Sequence, residues 1–312
     1  MNRTISHALA AVASVAAVIS VGGAAQATDA LTVCLNEDAP PYSAHHGKKT
    51  GGFDLAVAEA VARHLDRPLA VQWFESELDE DSNLTLESNA LLSDGLCQLV
   101  GGYPLIEHAL GKPGAESSRL PGHEGGKPSD RRRRVKLGTL VPSKPYFYAP
   151  LTVVLGAPAA TKPIATLADL QGLKLGAEEG TLADAILMIY GNRRFENQVT
   201  HVTPGKGQLL PDLEKGMFDA TLVSLRQFDA YRDSHPDSKL KASGFYHRIG
   251  FNMGFVTLAN EQKLLDAVNQ ALSDLLNKGE LPPLATAAGM TYVPPRSTEG
   301  YQGITLTDLY KD

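Results

Sequence analysis

The chain has 312 residues, with 29 Lys and Arg against 35 Asp and Glu, so its formal charge is −6. A hydrophobic content of 43% with only 21% charged residues excludes a disordered chain, and two cysteines exclude a disulfide-rich scaffold or a four-thiolate zinc site. The acidic balance excludes a general nucleic-acid binder, and the length points to two domains, since one core rarely grows past roughly 250–300 residues.

Residues 1–27 have the order of a secretory leader. Arg3 is followed by an apolar run from Ala8 to Val21, and Ala25-Gln26-Ala27 has the small-x-small form of a cleavage site. The run is 14 residues long, short of the ~20 that span a bilayer. Cleavage after Ala27 leaves 285 residues, removes Arg3, and takes the net charge to −7. The expected destination is the periplasm, where disulfides persist.

The next stretch reads as strand, helix, strand, helix, strand. Leu31–Leu35 and Leu69–Phe74 are β-branched and apolar, and Leu96–Val100 is a third such run. Between the first two, Phe53, Val57, Val61 and Leu65 recur at helical spacing, and a second helix is expected around Leu84–Leu92. Such a βαβαβ unit folds into a parallel sheet whose first and third strands are neighbours in the doubly wound order 2-1-3. That order brings Cys34 and Cys97 onto adjacent strands and predicts a disulfide, with two buried thiols as the alternative. The acidic run Glu75–Asn83 begins like a calcium loop, but Leu84 and Ala90 stand where Gly and Glu are required, so no metal is expected.

Residues 103–134 hold four Pro, five Gly and a terminal block of four Arg. They predict a surface loop inserted in the first lobe. Strand character resumes at Val135 and continues through Leu151–Leu155. Leu167–Leu170 is a short helix, Leu173–Gly176 a strand, and Gly180-Thr181 opens a helix to about Tyr190. Val199–Val202, a helix over Gln208–Lys215 and the strand Asp219–Val223 complete a second βαβαβ unit. Phe255–Leu258 is the expected return strand, and Glu261–Lys278 is an amphipathic helix stopped by Gly279. The expected architecture is α/β, with lobe 1 from 28–147 and 256–312 and lobe 2 from 148–255. Ligands in such sheets sit beyond the carboxyl ends of the strands, here between the lobes.

Several stretches together resemble the periplasmic solute-binding proteins of the amino-acid type (family three). They are Gly52–Val61 (GFDLAVAEAV), Lys144-Pro-Tyr-Phe147, Leu167–Gly172 with Lys174-Leu-Gly176, Gly180-Thr181, Phe218-Asp-Ala220, and Leu264–Leu284 followed by Gly289-Met290. The resemblance covers nearly all of 30–295. It implies a type II periplasmic binding protein fold, two doubly wound lobes joined by two crossover strands. It also implies a monomeric, non-enzymatic carrier that hands a small ligand to an inner-membrane ABC permease. Within that family, Cys34 with Asn36–Pro41, Trp73-Phe74 and Gly95–Gln98 resemble a subgroup associated with quinoprotein dehydrogenases. This second likeness implies a dehydrogenase partner and pyrroloquinoline quinone as ligand.

Two positions depart from the amino-acid pattern. The turn that carries a carboxylate-binding Arg in the family reads Ser129-Asp-Arg-Arg132, which keeps Arg132 beside Arg131 as an anion site. The Asp that takes an α-ammonium is Ser224, and a hydroxyl cannot neutralise a buried ammonium. The implied ligand is therefore a small, planar anion rather than an ordinary α-amino acid. Tyr42, Trp73, Gly102, Tyr103, Tyr146 and Tyr148 are the candidates for sandwiching a flat ring. Gly180 and Thr181 at a helix start, with Arg226 after the last strand, are further anion contacts. Two other readings share the fold: a dehydratase-like enzyme using Glu37 or Asp38 as acid or base, and a dehydrogenase-interaction module with no small ligand.

Overall fold

A computed structural model describes residues 29–46, 49–76, 83–296 and 305–311. The expected leader over 1–27 and the acidic residues 77–82 lie outside the described residues, as does the side chain of Arg131.

The first unit opens with β1 (Leu31–Asn36), the short strands β2 (Asp38–Ala39), β3 (Ser43–His46) and β4 (Lys49–Gly51), and helix α1 (Phe53–His64). It continues with β5 (Leu69–Glu75), α2 (Leu84–Ser93) and β6 (Leu99–Pro104). β1 pairs in parallel with β5 on one side and β6 on the other, giving the order second-first-third. Its residues are buried almost continuously, as a parallel strand covered on both faces requires. α1 lays Phe53, Val57, Ala58 and Val61 on that sheet. Gly52 before it has φ 117°, and a Cβ there would meet the Tyr42 carbonyl oxygen at 2.4 Å, so only glycine fits. α2 is capped by the Asn83 side chain, which accepts from the Leu86 N–H at 3.1 Å.

Cys34 and Cys97 form the expected disulfide, with Cα atoms 5.6 Å apart. The staple joins β1 to the turn entering β6, where only Val33↔Leu99 and Cys34↔Val100 pair. It is buried among Phe74, Ala90, Leu91 and Val100.

The insertion departs from expectation. Its residues make β7 (Ser117–Arg119) and β8 (Gly122–His123), followed by β9 (Arg134–Lys136). β7 pairs with β9, and β8 adds an antiparallel strand to the outer edge of β5. Leu105, Ala109 and Leu120 sink into the core beneath, so the segment is a packed cover over a sheet edge rather than a surface loop. Strands of two or three residues are too short to leave a readable alternation.

β10 (Leu140–Pro142) leads into β11 (Phe147–Leu155), which enters the second unit. There β12 (Leu175–Glu178), α3 (Leu182–Arg193), β13 (Val199–Val202), α4 (Leu209–Glu214), β14 (Ala220–Ser224) and α5 (Leu225–Ser234) follow. β12 lies between β13 and β14, the same second-first-third order. α3 leaves helical geometry at Tyr190, where Gly191 and Asn192 take positive φ.

The return strand β15 (Lys241–Leu258) is 18 residues long, not the four expected. It pairs antiparallel with β11 from Leu155↔Lys241 to Phe147↔Met253, with register shifts at Thr152 that let the ribbon twist. Its glycines read as breaks, yet a Cβ on Gly250 would meet the Ala149 carbonyl oxygen at 2.6 Å. Because the two crossover strands pair with each other, both units share one ten-stranded sheet, β13-β12-β14-β11-β15-β6-β1-β5-β8, with β10 beside β15.

α6 (Gln262–Asn277) and α7 (Leu281–Ala287) complete the first unit, with Val268, Leu272 and Leu281 in its core. The last residues do not stay there, although 256–312 was expected in lobe 1. The Asp229 carboxylate of α5 accepts the backbone N–H and hydroxyl of Thr291, at 2.7 and 2.8 Å. Val293 then joins the second unit's core and Leu309 packs among Ile186, Leu187 and Phe195. Residues 291–293 thus make a third connection between the two units, beside β11 and β15.

Candidate functional site

A cavity with a volume of about 570 Å³ lies between the two units. Asn36, Glu75, Gly101 and Gly102 reach it from the carboxyl ends of β1, β5 and β6. Ser224 reaches it from the end of β14, Arg226 from α5 and Leu182 from α3. The β11–β15 ribbon supplies the floor with Pro150, Leu151, Phe251 and Met253. The wall is mostly apolar, with a few polar groups converging on it, the usual composition of a small-molecule site.

Five expected contacts line this cavity: Asp38, Tyr42, Gly102, Ser224 and Arg226. Asp38 is exposed at the rim, 3.2 Å from His46 Nε2. Tyr42 packs edge-on against Phe147, and the Arg226 guanidinium sits 5.8 Å from the centre of its ring. Burial pushes the Tyr42 phenol well above its ordinary value. Arg226 also donates to the Pro40 carbonyl at 3.5 Å, a contact from the second unit to the first, and it forms no ion pair among the described residues. The Ser224 hydroxyl accepts from the Gln227 N–H and caps α5.

The other expected contacts lie elsewhere. Trp73 faces away from the cavity and stacks on His45 at 4.8 Å, while its neighbour Phe74 lines it, as the two-residue period of a strand dictates. Tyr103 is fully buried, and its hydroxyl donates to the Ala109 carbonyl. Tyr148 donates to the Arg248 carbonyl and carries Arg296 over its ring at 4.4 Å. Glu37 is outside the lining and hydrogen-bonds the Phe74 carbonyl through its backbone. The anion clamp expected of the arginine block is not formed at the cavity. Arg132 is exposed in the turn Asp130–Arg132, and Arg133 holds the Asp94 carboxylate beyond α2. The β7–β9 pair into which this block leads packs against α2 rather than at the cavity. The Gly180 N–H is taken by the Asp184 carboxylate, and Thr181 caps α3. Thr181 lines a separate hollow of about 160 Å³, with Glu178 and Ser224.

Tyr146 is in the core, and its role leads to a residue that sequence reasoning missed. Its hydroxyl donates to Asp54 Oδ1 at 2.7 Å and accepts from the Gly102 N–H at 2.8 Å. Asp54 is 1% exposed, lines the cavity, and has no cation in hydrogen-bond reach among the described residues. A Cβ on Gly102, at φ 63°, would lie 2.3 Å from Asp54 Oδ2, so the glycine keeps room for that oxygen. Burial raises the Asp54 carboxyl to about 7, against the Tyr146 hydrogen bond and the more distant Arg226 charge, which both favour ionisation. A signal for it did exist. Positions 54, 57, 58 and 61 form the buried stripe of α1, and Asp54 is the one acid on it.

No family model matches the chain, and no curated protein matches it. Solved structures do. The L-cystine solute receptor of Neisseria gonorrhoeae, in its unliganded open conformation, aligns over 86% of this chain and 96% of its own, with 18% identity and a TM-score of 0.59. Substrate binding domain 2 of Lactococcus lactis GlnP, also open, aligns over 83% and 94%, with 16% identity and a TM-score of 0.59. The second substrate binding domain of a Streptococcus pneumoniae putative amino acid ABC transporter aligns over 82% and 97%, with 15% identity and a TM-score of 0.57. At such identities the likeness speaks for architecture. The chain has the type II periplasmic binding protein fold, shared with these amino-acid-type solute-binding structures.

Proposed function

We propose that the protein is an extracytoplasmic solute-binding protein that closes its two lobes on one small molecule and presents it to an inner-membrane ABC permease. The observation that carries this reading is the cavity of about 570 Å³ walled by both units at the carboxyl ends of their strands, with Arg226 already reaching from one unit to the other. A ligand that touches both walls binds the closed form better than the open one and shifts the population toward it. Among its described residues the insertion contributes only Pro104 and Ile106 to the lining and leaves the cleft open, which favours a ligand carrier over an interaction module with a blocked cleft.

The ligand's charge is the finer question. Among the described residues Arg226 is the single cationic side chain on the wall, against Asp38, Asp54 and Glu75. Pyrroloquinoline quinone, with three carboxylates, would meet one arginine there. An enzymatic reading rests on Asp54, buried and titrating near neutrality, rather than on Glu37 or Asp38. Native mass spectrometry of the folded protein mixed with a bacterial small-metabolite fraction tests the reading. The expected result is a one-to-one adduct that is lost in Leu182→Trp, which fills the cleft. No adduct, or one unaffected by the blocking residue, overturns it. Adding pyrroloquinoline quinone alone, or prephenate with product detection, separates the quinone and enzyme versions in the same instrument.

A further inference from the structure

We propose that Asp54 is the ligand-recognising acid of the cleft, and that the solute it selects carries a protonated amine on an apolar body. This assignment rests on the solute-binding reading and names the substrate class of that same cavity.

The geometry has three parts. First, Asp54 is buried and faces the cavity, with Oδ1 engaged by the Tyr146 hydroxyl and no hydrogen bond on Oδ2 among the described residues. Second, Gly102 has no side chain, and the space that a Cβ would fill is held by Oδ2 at 2.3 Å. Third, the surrounding wall is apolar, with Tyr42, Phe74, Leu151, Phe251 and Met253 shaping a slot for a hydrocarbon or ring. A buried carboxylate without a cationic partner is costly, and a ligand ammonium removes that cost when it binds.

The charged and titratable groups around Asp54 fit this chemistry. Tyr146 faces it from the turn before β11, and Tyr42 from the turn after β2; burial keeps both phenols neutral far above physiological pH. Arg226 faces it from α5, but lies over the Tyr42 ring and bonds the Pro40 carbonyl rather than the carboxylate. Asp38 and Glu75 stand on the same wall and add negative potential. Each phenol can orient a donor or acceptor, and neither supplies the missing charge.

The experiment is calorimetric titration with phenethylamine, phenethyl alcohol and phenylacetate, which share one apolar body and differ in the head. The expected result is that the amine binds most tightly at pH 8 and weakens about tenfold by pH 6, as Asp54 takes up a proton. Asp54→Asn, which keeps the shape, should lose at least tenfold in amine affinity and lose the pH dependence. Tyr146→Phe removes a donor to the carboxylate, so its binding midpoint should move to higher pH; a merely structural contact would leave that midpoint in place. The proposal is overturned if phenethylamine does not bind at pH 8, if the alcohol or acid binds as well as the amine, or if Asp54→Asn keeps its affinity. In those cases a metabolite adduct that still forms and still disappears in Leu182→Trp leaves the solute-binding reading standing.

Discussion

Asp54 shows how one side chain can work against stability and for function. Its carboxyl is raised from 3.8 to about 7 in the fold, so between those values the native state holds the proton more tightly than the unfolded chain does. The unfolded state therefore binds fewer protons in that window, and stability falls as the pH rises through it. Above pH 7 the full penalty remains, on the order of a few kcal/mol for a shift of this size. Asp54→Asn carries no such charge. The unliganded variant should melt at a higher temperature than the native protein at pH 8, and the two should converge near pH 4. Differential scanning calorimetry at both pH values checks this; equal melting temperatures at pH 8 would show that Asp54 is not a strained acid. Arg226 is the complementary case, a charge positioned across the cleft that gains its partners from the facing lobe.

At the scale of elements, the sheet is held together by pairs that the sequence shows unequally. The helices and parallel strands were legible because their patterns are local: Phe53, Val57 and Val61 on α1, and the apolar runs of β1 and β5, each announce one element. The doubly wound order then brought Cys34 to Cys97. β15 was mostly illegible, because Gly244, Gly250 and Gly254 interrupt its alternation, and the close approach of Gly250 to β11 and of Gly254 to Leu105 is tertiary. The strands of the insertion were hidden for the opposite reason, being too short to have a period. The disulfide closes a loop with a sequence separation of 63, worth about 4 kcal/mol in the chain-entropy model. The double variant Cys34→Ala, Cys97→Ala should fold with a stability lower by roughly 2–4 kcal/mol, read from the denaturant midpoint at unchanged slope. An unchanged midpoint would contradict that view of the staple.

At the scale of the whole molecule, the arginine block was a poor guide to the charge of the cleft. The block ending at Arg134 looked like an anion clamp, but it leads into the β7–β9 pair against α2, and among the described residues the cleft wall has more acids than arginines. Which residues share a cavity depends on how loops after separate strands meet, information that no local pattern contains. This explains why Tyr42 and Arg226 were within reach of sequence reasoning, as residues following strands, while Trp73 fell on the wrong face and Asp54 passed as one letter of a helix. The two units are joined through β11, β15 and the segment from Thr291 to Val293, so the proposed closure would have to twist these three connections together.

If the cleft closes on a solute, a distance measured between the lobes must change. Among the described residues no cysteine is free, so cysteines placed at exposed Glu107 and Lys206, on opposite sides of the cleft, take spin labels selectively. Pulsed electron paramagnetic resonance then reads the distance between them. The distribution should shorten when the adduct-forming metabolite is added and return when it is removed. A distribution that stays unchanged while the adduct is bound would contradict closure.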